Sequence, residues 1–212
     1  MFRPRFLLLS LGNPAPYYET LHSAGHFALN SAQKALRGSQ LPFTYTDLGG
    51  KKCLASLTAS SSSPSYIMIQ SPTLMNVCGP WVAKAYREQL QMHNLKPSEL
   101  SLVLVHDDLE EDFGSVKLRK WKASHRGHNG VKSVNASLKP AEFPGARWSR
   151  ISIGIDRPEA RDQQSVANYV LRRMTRYQKD VIDAKIGPRV IGCLRSLQDD
   201  WEEDFDKASS DP

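Results

Sequence analysis

Cysteine is scarce in this sequence of 212 residues, and the three that occur, Cys53, Cys78 and Cys193, are isolated from one another. An odd number of scattered cysteines fits neither a disulfide framework nor the paired spacing of a zinc site. We therefore expect a reducing compartment. The cytoplasm is preferred because no clear transit peptide precedes the first predicted strand, and mitochondria are left open. Long apolar runs are also absent, so no segment is predicted to span a membrane.

Three common catalytic signatures are missing as well. The sequence contains no GxSxG nucleophile elbow, no GxxxxGK[ST] phosphate loop and no GxGxxG dinucleotide fingerprint. His22 and His26 stand four residues apart, near the spacing of a zinc-binding HExxH helix, but the glutamate is lacking. A zinc site built from these histidines with His106, Asp107 or His128 stays open as a less favoured alternative.

The net charge of +6 combines two unlike parts of the chain. The last fourteen residues, 199–212, carry seven acidic side chains and one basic one, Lys207. The preceding 198 residues therefore hold 27 basic and 15 acidic side chains, a formal charge of +12. A body this basic favours a polyanionic partner such as a nucleic acid, although a solvated basic surface without a partner explains the charge too. We predict one domain at 1–198 and a flexible acidic tail at 199–212.

The hydrophobic pattern alternates between strand-like and helix-like segments. The stretch "LSLVLVHDDL" (100–109) is the clearest buried strand, because nearly every residue from 102 to 105 is apolar. Strands that alternate with helices predict an α/β sandwich around a partly parallel sheet. Further strands are predicted at 5–12, within 43–58, at 66–70, 114–121 and 147–155, and helices at 23–36, 80–92, 128–138 and from about 163 onward.

Polar side chains follow three of the predicted strands. Asn13, Tyr18 and His22 come after the first strand, Asn76 after the strand at 66–70, and Asp107 ends the central strand. In open α/β sheets, ligands bind at the carboxyl ends of strands, so these residues are expected to share one edge of the sheet. A His–Asp pair there could deprotonate a water molecule, since the carboxylate orients the imidazole and stabilises its protonated form. Each residue alone is equally explained as part of a turn or a helix cap.

Five blocks of the sequence resemble bacterial-type peptidyl-tRNA hydrolases. In order, they are "LLSLGNPAPYYETLHSAGH", "SPTLMNVCGP", "LVLVHDDLEEDFGSVKLR", "RGHNGVKSV" and "RISIGIDRP" with the later "VANYVL", and they cover residues 6 to about 171. The resemblance implies an α/β fold, with a single domain and a twisted mixed β-sheet sandwiched between α-helices. It also implies a monomer that binds peptidyl-tRNA and hydrolyses the ester between the peptide and the 3′-terminal ribose, without metal or cofactor.

The resemblance also assigns site residues by position. His22 takes the place of the catalytic histidine and Asp107 that of its carboxylate partner. The residues implied to bind the substrate are Asn13, Tyr18, Asn76, His128 and Asn129. Beside them runs a basic segment without acidic residues, from which Lys120, Lys122 and Arg126 are expected to contact the phosphates of the acceptor stem.

The sequence departs from the family pattern at several positions. Ala15 replaces a usual glycine, so the backbone there is expected to avoid positive φ or absorb strain. Leu21 and Ser23 flank His22 where Arg and Asn are typical, and Lys122-Ala123 replaces Gly-Gly before the "HRGHNG" segment. Two alternatives therefore stay open: an RNA-binding protein that has lost catalysis on the same fold, and a metal-dependent phosphoesterase.

Overall fold

The computed structural model of the chain describes residues 4–59 and 65–210, apart from the side chain of Ser210. Its centre is a seven-stranded mixed sheet in the order β2-β3-β4-β1-β5-β7-β6. The four central strands are parallel to one another, and antiparallel strands close both edges. The strands are β1 (Phe6–Ser10), β2 (Thr44–Leu48), β3 (Lys51–Leu57), β4 (Tyr66–Gln70), β5 (Ser101–Asp108), β6 (Val116–Lys120) and β7 (Trp148–Gly154).

Helices cover both faces of this sheet. Successive residues of a strand point to opposite faces, so an unbroken apolar strand needs a layer on each side. On β1, Leu7 and Leu9 pack into the core beside α2 and α3, whereas Phe6 and Leu8 pack into the core beside α1 and α6. The predicted α/β sandwich is therefore confirmed. The helices are α1 (Ala24–Ala35), α2 (Gly79–Met92), α3 (Asn129–Ser137), α4 (Gln163–Val170), α5 (Arg176–Val181) and α6 (Gly187–Ser210), with a π-helical turn at Ile182–Ile186.

The last helix passes through the boundary that the charge pattern predicted at residue 198. Instead of a separate flexible tail, residues 199–210 form the final turns of α6. Trp201 anchors these turns, because it is only 4% exposed and its ring meets Phe6 edge-on at 5.6 Å. The acidic residues of this segment are mostly exposed, and one of them, Asp204, pairs with Arg147 at 2.9 Å. Residues 211 and 212 lie outside the described part of the chain.

Within the described ranges, no helix combines the length and the apolar character that crossing a bilayer requires.

Candidate active site

His22 and Asp107 form a hydrogen-bonded pair at the carboxyl edge of the sheet. His22 lies in a short 3-10 turn (Leu21–Ser23) just before α1, and Asp107 is the last residue but one of β5. The His22 Nδ1 atom is 2.9 Å from both oxygens of Asp107. Asp107 is almost fully buried, whereas the His22 side chain keeps 14% of its surface exposed. The pair predicted from the strand ends is therefore assembled in the fold.

His128 contacts the same carboxylate from the other side. Its Nε2 atom lies 2.9 Å from Asp107 Oδ1. Its Nδ1 atom accepts a hydrogen bond from the backbone N–H of Val131 at 3.2 Å, as the N-cap of α3. Because Nδ1 accepts, the proton of a neutral His128 lies on Nε2, which donates to Asp107. His128 therefore connects the start of α3 to the carboxylate, and it also lines the cleft beside His22, where it was expected to meet the substrate.

The charges of this cluster shift the pKa values of its members. Burial favours neutral His22, but the charge of Asp107 and its hydrogen bond outweigh burial and raise the pKa of His22 above its ordinary value of 6.5. Burial would likewise raise the pKa of Asp107, but His22 and His128 lower it well below its usual range. Asp107 is thus held as a carboxylate, and His22 gains affinity for a proton.

The three side chains are close enough to be considered as metal ligands. One ligand atom from each of His22, Asp107 and His128 lies within 4.8 Å of the others. A metal on His128 Nε2 would need the lone pair there and would move the proton to Nδ1. The N-cap contact to Val131 uses Nδ1 as an acceptor, so metal binding would break the cap of α3. The hydrogen-bonding pattern therefore disfavours the predicted zinc alternative.

Three asparagines border a cleft of about 880 Å³ that includes His22. Asn13 is 4% exposed, and its Oδ1 atom accepts a hydrogen bond from the Met75 backbone N–H at 2.8 Å. This bond fixes the short 3-10 turn (Met75–Val77) that carries the exposed Asn76. Asn129 is the exposed first residue of α3. The structure thus brings Asn13, Asn76 and Asn129 to one cleft, as the sequence predicted.

Tyr18 does not line this cleft, so its expected placement was wrong. Its hydroxyl donates to Gln70 and accepts from Asn30, each at 3.3 Å, on the α1 side of the sheet. The neighbouring Tyr17 lines the cleft and is 43% exposed. Two adjacent tyrosines in a turn face different directions, and the sequence pattern holds no signal that would have separated them.

The basic segment divides into paired and unpaired cations. Arg126, expected to face phosphate, contacts Asp108 at 3.3 Å and Glu111 at 2.9 Å. Lys117 and Arg119 also pair with Glu111, and their hydrogen bonds, together with that of Arg126, lower the pKa of Glu111 to about 2. By contrast, Lys120 and Lys122 are exposed, and neither has an ion-pair partner in the described part of the chain.

Sequence reasoning missed a buried arginine beneath this segment. Arg150 of β7 is 1% exposed, and its Nη2 atom donates to the backbone carbonyls of Lys120, Ala123 and Ser124. The guanidinium therefore holds the loop after β6 in place. Arg157 and Arg161 also line the cleft without having been predicted. A strand pattern does not predict that an arginine is buried and donates to backbone carbonyls of a neighbouring loop.

The departures from the family pattern leave the site intact. Ser23 Oγ accepts from the Asn13 backbone N–H at 3.0 Å and donates to the Tyr17 carbonyl at 3.1 Å, so it ties the Asn-Pro turn to the segment of His22. Leu21 is fully buried in the core. Ala15 is not among the residues with positive φ, as expected for a residue that replaces glycine without strain.

The family model described as peptidyl-tRNA hydrolase matches residues 7–211. The chain belongs to the peptidyl-tRNA hydrolase family. A peptidyl-tRNA hydrolase of Persephonella marina is 33% identical over 192 residues, which are 90% of this chain and 89% of that protein. A probable peptidyl-tRNA hydrolase of Schizosaccharomyces pombe is 32% identical over 139 residues, 65% of this chain and 64% of the relative.

Solved structures agree with this assignment at the level of the fold. The crystal structure of peptidyl-tRNA hydrolase from Acinetobacter baumannii superposes with a TM-score of 0.63 at 18% identity, covering 93% of this chain and 96% of that one. The resemblance drawn from the five sequence blocks is therefore confirmed, and with it the single-domain α/β fold of the peptidyl-tRNA hydrolases.

Proposed function

We propose that this chain hydrolyses the ester bond between a peptide, or an N-blocked amino acid, and the 3′ end of tRNA. Membership of the peptidyl-tRNA hydrolase family supports the reaction class. The observation that carries the residue roles is the pairing of His22 Nδ1 with the Asp107 carboxylate at 2.9 Å. It leaves His22 Nε2 with no hydrogen-bond partner among the described residues, on a side chain that lines the cleft.

In this proposal His22 is the general base. Its Nε2 atom takes a proton from a water molecule while the water oxygen bonds to the ester carbonyl carbon. Asp107 fixes the tautomer in which Nε2 is unprotonated and stabilises the imidazolium that forms. The bond from carbon to the ribose oxygen then breaks, and that oxygen takes the proton back from His22. The products are a peptide with a free carboxyl group and a tRNA with a free 3′-hydroxyl.

The asparagines supply neutral hydrogen bonds to the substrate. The Oδ1 atom of Asn13 accepts from Met75, whereas its Nδ2 group has no hydrogen-bond partner among the described residues. This N–H group is therefore available to the substrate. Amides of this kind donate to the carbonyl oxygen on which negative charge develops. Asn76 and Asn129, on two other walls of the same cleft, are assigned to the peptide and the 3′-terminal nucleotide.

The tRNA body is assigned to the exposed cations after β6. Within the described residues neither Lys120 nor Lys122 has an ion-pair partner, and they lie at the end of β6, the strand that closes one edge of the sheet. Arg126 is better placed to hold its own loop against Asp108 and Glu111 than to bind phosphate. We further propose that the protein acts as a monomer in the cytoplasm and that its reaction needs no cofactor.

One assay tests this proposal directly. The purified protein is incubated with a labelled N-blocked aminoacyl-tRNA, and the release of label from the tRNA is followed with and without a strong chelator. We expect release in both arms, and none with His22→Ala. Binding of tRNA without release would favour the non-catalytic RNA-binding protein. Release that the chelator abolishes, and that a divalent metal restores, would favour the metal-dependent phosphoesterase.

A further inference from the structure

A second buried imidazole, that of His106, adjoins the His22–Asp107 pair. His106 lies on β5 directly before Asp107 and is 4% exposed. Its Nδ1–H donates to the backbone carbonyl of Asp107 at 2.7 Å. Its ring meets the ring of His128 edge-on, with 4.8 Å between the centroids and 76° between the planes. His106 thus contacts both the main chain of the carboxylate and the second histidine that binds it.

Packing alone does not account for an imidazole at this position. Because Nδ1 donates to a carbonyl, Nε2 must be the unprotonated acceptor of a neutral ring. That Nε2 atom is buried and has no hydrogen-bond partner among the described residues. An unpaired buried acceptor destabilises the folded state, whereas an apolar side chain such as leucine would fill the space without that cost. The donor on Nδ1 is therefore the feature that distinguishes His106 from a leucine here.

We propose that His106 is a positioning residue for the hydrolysis: it holds the Asp107 backbone and the His128 ring so that one carboxylate meets both His22 and His128. The inference rests on the proposed roles of His22 and Asp107. The direction of the Asp107 carboxylate depends on its backbone as well as on its contacts with His22 and His128. The hydrogen bond from His106 to the carbonyl oxygen of Asp107 limits the rotation of the Asp107 backbone. The His106 ring also packs edge-on against the ring of His128.

The charges around His106 favour a role as a neutral support. The charged or titratable groups that face it are Asp107 on its own strand, His128 before α3 and Arg150 on β7. Burial, followed by the effect of His128, lowers the pKa of His106 to about 3. The ring is therefore neutral wherever the enzyme is folded and active, so its contribution is geometric and does not vary with pH in that range.

Two substitutions isolate the donor on Nδ1. His106→Asn places an amide N–H at nearly the position of Nδ1–H, whereas His106→Leu has a similar shape without a donor. Gln89→Leu is the matched control, because Gln89 is 5% exposed, also has an unpaired buried acceptor, and lies on α2 away from the cleft. For each variant, kcat and KM are measured on an N-blocked aminoacyl-tRNA, and the NMR resonance of the His22 Nδ1–H proton is recorded.

We expect His106→Leu to lower kcat on the order of tenfold with KM nearly unchanged, as the loss of one orienting hydrogen bond predicts. The low-field resonance of His22 Nδ1–H should weaken or move in this variant. His106→Asn should recover most of kcat, and Gln89→Leu should leave both readouts unchanged. If His106→Leu does not fold, His106→Gln replaces it, since the amide of glutamine overlies Nε2 of the imidazole and not Nδ1.

The inference would be overturned if His106→Asn and the variant without a donor had equal kcat values. It would also be overturned if the His22 Nδ1–H resonance did not move in either variant. His22→Ala, measured alongside, separates this result from a failure of the proposed function. If His22→Ala keeps its activity, the roles of His22 and Asp107 are at fault. If His22→Ala is inactive while His106→Leu behaves like the wild type, only the positioning role of His106 is rejected.

Discussion

His128 donates a hydrogen bond to the same oxygen of Asp107 that His22 contacts, at 2.9 Å in each case. A single buried carboxylate is thus shared by two imidazoles whose ring centroids are 5.1 Å apart. Of these two histidines, His22 alone keeps a ring nitrogen without a partner among the described residues, because both nitrogens of His128 are used within the protein. The two histidines therefore have different roles: His22 takes the proton, and His128 holds the carboxylate and caps α3.

The dual role of His128 can be separated by one substitution. Asparagine is a good N-cap but too short to reach Asp107 across the cluster. We expect His128→Asn to keep the thermal midpoint close to that of the wild type while lowering kcat by roughly tenfold to a hundredfold, the range for losing a hydrogen bond to a charged group. His128→Ala should show the same kinetic loss and also lose about 1 kcal/mol of stability with the cap. Full activity in both variants would leave His128 with a structural role alone.

A second prediction concerns the pH dependence of the rate. His22 must be neutral to accept a proton, so kcat/KM should rise with pH to a plateau. The midpoint of this rise should lie above pH 6.5, because Asp107 raises the pKa of His22. In Asp107→Asn the charge is gone and burial remains, so the midpoint should move below 6.5 while the plateau rate falls. The measurement is kcat/KM against pH for both proteins. A midpoint that does not move would show that His22 is not the group that titrates.

The same pair affects stability with a defined sign. A group whose pKa is raised in the folded state stabilises the fold fully below its unfolded pKa and loses that contribution as the pH rises through the folded value. Asp107, whose pKa is lowered, stabilises the fold above its unfolded pKa of 3.8, so the His22–Asp107 pair should stabilise the protein most between pH 3.8 and pH 6.5. Denaturant unfolding of wild type and Asp107→Asn at several pH values checks this, since the difference between them should shrink as the pH increases above the His22 pKa.

The outline of the active site could be predicted because parallel strands end at one edge of the sheet. That rule alone placed His22 beside Asp107 and brought Asn13 and Asn76 to the same cleft. The rule could not decide whether Tyr17 or Tyr18 lines the cleft. Both belong to one turn, and the backbone path of that turn alone determines the direction of each side chain. The periodicity of a strand fixes faces, whereas the geometry of a turn depends on contacts elsewhere in the chain.

Long-range pairing explains the other differences. Arg126 was expected to be free for phosphate because its own segment has no acidic residue, but Glu111 reaches it from the turn after β5. The acidic residues beyond 198 were expected to form a flexible tail because their charge dominates the composition, but the single Trp201 docks the helix. In both cases contacts with residues elsewhere in the chain outweighed the average character of the local sequence.

A fourth prediction separates binding from folding among the amides. Asn76→Ala and Asn129→Ala should weaken catalysis or substrate binding without changing the thermal midpoint, because both side chains are exposed. Asn13→Ala should lower activity and stability together, since its Oδ1 atom also holds Met75. None of the three should change the shape of the pH–rate profile, because amides do not titrate. Asn168→Ala, at an exposed position of α4, serves as the control.

The last prediction concerns the contact with tRNA. Lys120 and Lys122 are exposed and have no ion-pair partner among the described residues, whereas the charge of Arg126 is offset by Asp108 and Glu111. Each phosphate contact releases counterions when the protein binds. On duplex-like RNA, losing one contact should therefore reduce the slope of log association constant against log salt concentration by nearly one unit. We expect Lys120→Ala/Lys122→Ala to weaken the binding of several tRNAs alike and to reduce this slope, and Arg126→Ala to reduce it less. Hydrolysis of a minimal substrate without the acceptor stem should barely change.

The hairpin at the other edge of the sheet provides the control for this measurement. Lys51 and Lys52 on β3 are also adjacent exposed lysines, but β3 and β6 lie near opposite edges. Lys51→Ala/Lys52→Ala removes the same net charge, so it should lower the affinity only through the general field of the protein and leave the slope nearly as it was. If both double variants flatten the slope equally, the tRNA responds to total charge and the loop after β6 has no special contact with the acceptor stem. If neither changes it, Lys120 and Lys122 are a solvated edge that protects the sheet from pairing with other chains.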